Sequence, residues 1–386
     1  MKKINILTTI SLLSTTSLIV LSSQCKASDT KEKQQKVDDE TNNVSNQKDK
    51  VTHEPSVEEK LSDNDKSQSD VKDTTNKEIT NDKIKLPKGA YYSTQGEDNK
   101  YYQALDGLNG IELYRKLHDI QNEKAKNVNN YDYLYHSIYK DAFKDQYYEK
   151  DNSVLDIYSE NPSGSDPYNF NFNNYHGRNG KPIRGRTEGQ EGYRFNREHI
   201  IPKSYFEGYE PMHNDAHHVW PTDQIVNEKR GNSPHFIVDN PNITSLNGTK
   251  IISEKRRNKR NREYDFAIYT EPIDEFKGDI ARVYFYFAIT YVGENNWLKG
   301  PGKEVFSWNS GKVLKNNYFD VYKQWSVKDK IDAFDIVRNN EIAKHQVVRN
   351  PFSDYPELID LILDPQGRVF KNKGVLKIDL DKYFKQ

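Results

Sequence analysis

The run NREHIIPKSYF, residues 196–206, sets an arginine, a carboxylate and an imidazole side by side ahead of an apolar pair and a proline. Those residue types could divide a hydrolysis between them. Glu198 could hold a hard cation through its carboxylate, and His199 could take a proton from water. The plain alternative is a strand that begins with charged residues. Asn227 adds an amide oxygen further along the chain. One carboxylate and one amide would hold Mg²⁺ loosely and leave coordination places for phosphate oxygens. Such an ion stabilises charge on phosphorus and on the leaving oxygen. Phosphodiester hydrolysis is extremely slow unaided, so it needs that division of labour.

The elements around these residues read as strand, loop, strand, helix. Residues 193–201 have an extended pattern stopped by Pro202, and 207–214 form a loop with Gly208 and Pro211. Residues 216–220 read as a second strand stopped by Pro221. Thr222-Asp223 offers an N-cap, 224–229 read as a helix, and Gly231 ends it. This β-β-α arrangement would bring Glu198 and His199 over the helix that carries Asn227. Six of the ten histidines lie between His176 and His235, which raises the odds of metal or proton chemistry there. Adjacent strand residues face opposite ways, so His217 and His218 cannot both point into one site. His217 reads as the inward one, and His218 is left open between site and structure. His176, His213 and His235 read as surface or loop residues. Arg197 either contacts phosphate or pairs with an acidic neighbour.

Composition divides the chain. Residues 1–27 read as an export signal: Lys2 and Lys3, an apolar run diluted by Ser and Thr, then Cys25-Lys26-Ala27 as small-residue cleavage positions. The Ser/Thr content argues against a membrane anchor. A lipid on Cys25 is a further option, although the preceding residues fit a lipoprotein box poorly. Residues 28–88 are polar and highly charged, with no aromatic side chain. They cannot bury enough apolar surface to offset ordering entropy and read as a disordered spacer. Every Tyr, Phe and Trp lies at Tyr91 or beyond, so 89–386 reads as one large folded domain. The only cysteine is Cys25, which excludes internal disulfides, cysteine catalysis and Cys-ligated zinc in the body. No His-Glu-x-x-His occurs, which disfavours a zinc peptidase. The chain carries a formal net charge of −1, so nucleic-acid binding would need a local patch. The run EKRRNKRNRE supplies one, with Lys255, Arg256, Arg257, Lys259, Arg260 and Arg262. It reads as a phosphate-gripping arm or as a solvated loop.

NREHIIPKS, PMHNDAHHVWPTD and VNEKRGNSPHF together resemble the endonuclease I family of exported, non-specific nucleases. EPIDEFKGDIARVYFYFAITY (271–291) and QVVRNPFSDYPEL (346–358) are similar to further blocks of that family, in the same order. YYQALDGLNGIEL and VLDIYSENPSG are similar to its N-terminal part. The resemblance implies a mixed α+β domain around a ββα-metal (His-Me finger) core. It implies Glu198 and Asn227 as ligands of one Mg²⁺, with Mn²⁺ or Ca²⁺ as substitutes, and His199 as general base. It implies Asp215 and His217 as residues that orient the site, and Arg230 as a phosphate contact. The body lacks the cysteines of some branches, and the longer insert between the two strands is absent.

The remaining helical signals read as structural. Ile280, Ala281, Val283, Tyr284, Phe287, Ala288 and Tyr291 form an apolar stripe, with Asp279 as its cap and Arg282 in a salt bridge. Residues 326–342 read as one helix capped by Ser326. Another helix is expected to start at Asp354, with Arg349 and Asn350 holding the turn before it. The expected function is a secreted, metal-dependent, sequence-tolerant endonuclease acting on DNA, RNA or both and leaving 5′-phosphate ends. No small-molecule cofactor, no membrane span in the mature form and no oligomer are indicated. The rival readings are a ribonuclease with little action on DNA and a non-catalytic surface protein that binds nucleic acid through the basic arm.

Overall fold

The computed structural model describes residues 85–252, 268–294, 297–300 and 302–385. The export signal, nearly all of the spacer and the basic run 255–262 lie outside the described residues. The fold mixes helices with small antiparallel ribbons, as the sequence predicts for the body. Strand β1 (Ala90–Ser93) pairs with β4 (Val375–Ile378), which joins the two ends of the folded body. Helix α1 (Gly110–Ala125) buries Leu113, Tyr114, Leu117, Gln121 and Ala125, a stripe at helical spacing. Strand β2 (Phe195–His199) pairs antiparallel with β3 (Val219–Asp223), and α2 (Gln224–Arg230) follows directly. Then come α3 (Lys277–Phe287), α4 (Asn316–Lys328), α5 (Ala333–Gln346), α6 (Pro351–Asp354) and α7 (Leu358–Leu363).

The core is aromatic and centred on α3. Ile280, Ala281, Val283, Tyr284 and Phe287 are buried there as the stripe predicts. Tyr284 stacks on Tyr322 of α4 with ring centroids 4.3 Å apart. Two details of α3 differ from the sequence reading. It begins two residues before Asp279, and Asp279 is not its cap. Asp279 instead pairs with Arg338 of α5 at 2.8 Å, while Arg282 reaches Asp335 at 2.5 Å. The structural bridge expected of Arg282 is therefore present, inside a buried network. Arg338 also lies over the ring of Trp220, 4.5 Å from its centroid. The network thus buttresses β3.

Three other boundaries move, each because side chains capture the backbone. Residues 216–218 are not strand: Ala216 N donates to Gln346 Oε1 and His217 N to Asp215 Oδ1. The strand begins at Val219 and runs through Pro221, which sits opposite Arg197. A two-stranded ribbon leaves alternate N–H positions unpaired, so proline is tolerated there. The single helix expected over 326–342 is two helices. Asp329 accepts from Gly278 N and, through its carbonyl, from Arg282, and Asp332 then caps α5 by accepting from Asp335 N. The last turn also starts early: Asn350 Oδ1 accepts from Phe352 N and opens α6. Arg349 grips Asp354 through two nitrogens at 2.7 and 2.8 Å, which fixes that turn as expected.

Candidate active site

The β2–β3 ribbon and α2 form the scaffold of the site. Asp223 is the N-cap of α2; its Oδ1 accepts from Ile225 N at 2.8 Å and Val226 N at 2.9 Å. Gly231 ends the helix with a φ of +60°, a conformation that favours glycine. Asp223 N in turn donates to Asp156 Oδ2 at 2.9 Å, so a distant segment holds the strand-to-helix corner. The buried Tyr139 hydroxyl donates to Val219 O at 2.9 Å and pins the start of β3.

Glu198 and His199 are the last two residues of β2, and each side chain has its own set of neighbours. Glu198 joins Asn196 on the face toward α2. Its carboxylate is 2% exposed and accepts from the Arg230 guanidinium and, at 3.0 Å, from the Tyr158 hydroxyl. Burial raises the Glu198 pKa, and Arg230 and the Tyr158 hydroxyl oppose that rise. Asn227, one turn before Arg230, donates its Nδ2 to Asn196 Oδ1 at 2.7 Å, which leaves its amide oxygen available. A carboxylate and an amide oxygen on neighbouring elements fit a hard cation in kind.

His199, at the end of the strand, packs among aromatic rings. Its ring lies 5.3 Å from that of His213, and about as far from those of Tyr131, Phe206 and His218 (5.9 Å each). Its Nε2 lies 3.1 Å from His213 O. A carbonyl only accepts, so Nε2 carries the proton and Nδ1 is the basic nitrogen. Burial first, then the nearby His218 and His213, holds the ring well below the usual histidine pKa. The imidazole is neutral at ordinary pH, the state a base requires.

The other sequence-predicted residues divide. Arg197 pairs with Asp132 at 3.2 Å and lies over the Tyr131 ring at 3.5 Å, so the acidic-neighbour alternative describes its contacts. Arg230, read as a phosphate contact, is instead fully buried. It donates to Glu198, His199 O, Ile200 O and Ser233 O, and its guanidinium is committed to the interior. Asp215 is buried, with Oδ2 accepting from the Tyr286 and Tyr291 hydroxyls at 2.7 Å each. His217 stacks near Tyr286 and reaches Val348 O at 3.0 Å. Both residues therefore tie the inter-strand segment to the core. His218, not His217, lies beside His199. His213 sits half-buried in the loop between the strands, its ring 4.2 Å from that of Tyr131, whereas His235 differs from its surface-or-loop reading: it is buried and reaches the Tyr158 hydroxyl at 3.1 Å. His176 meets Gln224 at an exposed position, as a loop residue would. Sequence reasoning missed Tyr158, although it lies in the VLDIYSENPSG block.

A family model described as Endonuclease I matches residues 110–357, which spans this scaffold and most of the core. The chain belongs to the endonuclease I family. Membership makes it a nuclease, an enzyme that hydrolyses nucleic acid. Two relatives are named extracellular ribonuclease. That of Bacillus subtilis (strain 168) is 29% identical over 272 residues, covering 69% of this chain and 79% of its own. That of Bacillus amyloliquefaciens is 28% identical over 277 residues, covering 71% and 81%. Among the described residues of this endonuclease I relative, no helix is long and apolar enough to cross a membrane.

Proposed function

We propose that the protein is an exported, divalent-metal-dependent endonuclease of low sequence preference that cleaves RNA and DNA. The observation that carries the reading is the state of His199. It is a neutral imidazole anchored through Nε2, on the strand whose next residue toward the N-terminus is the carboxylate Glu198. His199 Nδ1 takes a proton from the attacking water, and the hydroxide adds at phosphorus. The bond from phosphorus to the 3′ oxygen breaks and that oxygen takes a proton from solvent water, which gives a 5′-phosphate and a 3′-hydroxyl. Glu198 and Asn227 would hold one cation, Mg²⁺ by preference, which supplies charge stabilisation at the phosphoryl group. Arg230 acts as a positioning residue that favours the ionised form of Glu198 and ties it to the carbonyls of His199 and Ile200. Nothing in this arrangement uses a 2′-hydroxyl, so both polymers are substrates; the names of the two Bacillus relatives support RNA. Their names also support export, in line with the leader-like residues 1–27. The basic run 255–262 is proposed, from its sequence alone, to grip phosphates without reading bases.

The test incubates the full chain with supercoiled plasmid and with structured RNA, in Mg²⁺ or in EDTA. The reading expects both polymers to be cut only with metal, leaving 5′-phosphate ends that a ligase accepts. Retention of either polymer without cleavage in Mg²⁺ would overturn it.

A further inference from the structure

A second group of carboxylates lies outside this site. Ligand oxygens of Asp145, Glu149 and Glu160 fall within 4.8 Å of one another. Among the described residues, no lysine or arginine is paired with any of the three. Glu160 is 1% exposed, and its Oε1 has no hydrogen-bond partner. A buried, unpartnered carboxylate facing two others is costly unless a cation or proton compensates it. Burial, then Asp166, Asp145 and Glu149, pushes its carboxyl up to about 10.

The backbone is wound to present these groups. Asp145 Oδ1 accepts from Tyr147 N and Tyr148 N, and its Oδ2 accepts from Lys150 N. The loop closes through Asp145 N to Ser153 O at 2.9 Å and Asn152 N to Asp145 O at 3.1 Å. Lys150 and Asn152 take positive φ of 61° and 62° to complete the turn. Glu160 enters from the following segment, whose other residues hold the catalytic scaffold: Asp156 caps Asp223 N, and Tyr158 donates to Glu198.

We propose that Asp145, Glu149 and Glu160 bind a calcium ion, separate from the catalytic cation, that fastens the 145–153 loop to the 156–160 segment and so steadies Tyr158 against Glu198. Calcium suits the group better than magnesium. It accepts carboxylates from flexible loops in irregular geometry, whereas magnesium demands a near-ideal octahedron. The exposed Glu149 leaves a side open for water ligands.

The experiment titrates CaCl₂ into the chelator-treated full chain, reading bound ion by calorimetry and the thermal midpoint in parallel. It compares wild type with Glu149→Gln, Glu160→Gln and Asn227→Ala. Glu149 is exposed, so its variant keeps the fold even if burial makes Glu160→Gln harder to recover. The proposal expects calcium to raise the midpoint of wild type and Asn227→Ala alike, and binding to weaken about tenfold or more in the two glutamate variants. It is overturned if calcium moves no midpoint, if the shift survives Glu149→Gln and Glu160→Gln unchanged, or if Asn227→Ala alone removes it.

Discussion

At the scale of residues, the site depends on one carboxylate held in two ways. Glu198 sits where burial favours a neutral acid and raises its pKa, and the guanidinium of Arg230 opposes that rise. A buried pair of this kind is strongly destabilising to break, because the partner is left as an uncompensated charge. Arg230→Ala is therefore expected to cost about 3–5 kcal/mol of unfolding free energy, measured by urea denaturation. An exposed arginine that only touched phosphate would change stability by no more than about 0.5 kcal/mol when replaced, and that result would restore the phosphate reading. Glu198 and His199 could be read from their adjacency in the sequence. Their partners could not: Tyr158 and Tyr131 are brought in by the fold from far along the chain, and no local pattern marks a tyrosine as the donor to a carboxylate.

Among elements, the order strand, loop, strand, helix was legible because Pro202, Gly208, Asp223 and Gly231 are strong local punctuation. The second strand was misplaced by three residues because Gln346 and Asp215 take the N–H groups of Ala216 and His217, a tertiary claim that periodicity cannot display. The same segment carries a pH signature. His217 is buried and neutral, and burial lowers its pKa to about 3. Its folded pKa is depressed, so the unfolded chain binds the extra proton below its ordinary pKa of about 6.5. The stability that depends on neutral His217 is present above that pH and is lost progressively as pH falls toward about 3. The destabilisation caused by His217→Gln is thus expected to be roughly 2 kcal/mol smaller at pH 5 than at pH 7. Paired urea titrations check this, and an equal cost at both pH values would mean that His217 is not the group being protonated.

For the whole molecule, the aromatic core and the buried Asp279–Arg338–Asp335–Arg282 network hold β3 through Trp220, while the 156–160 segment holds β2 and α2 from the other end. A small ribbon and a two-turn helix could not stay in register alone; the helices around them supply the rigidity that a site needs. The sequence foretold an aromatic-rich body, a stripe on α3 and a salt bridge for Arg282, but not that Asp279, Asp335 and Arg338 would be buried with it, since no local pattern names their partners. The body's near-neutral charge also leaves phosphate attraction to local features, and the proposed chemistry rests on the β2 residues. The most direct test of that claim is the single-turnover cleavage rate of wild type and His199→Ala on the same RNA with saturating Mg²⁺, with folding checked by thermal midpoint. The account predicts a folded variant slowed by about 10²-fold or more; a folded variant that cleaves at the wild-type rate would contradict it and remove His199 from the chemistry.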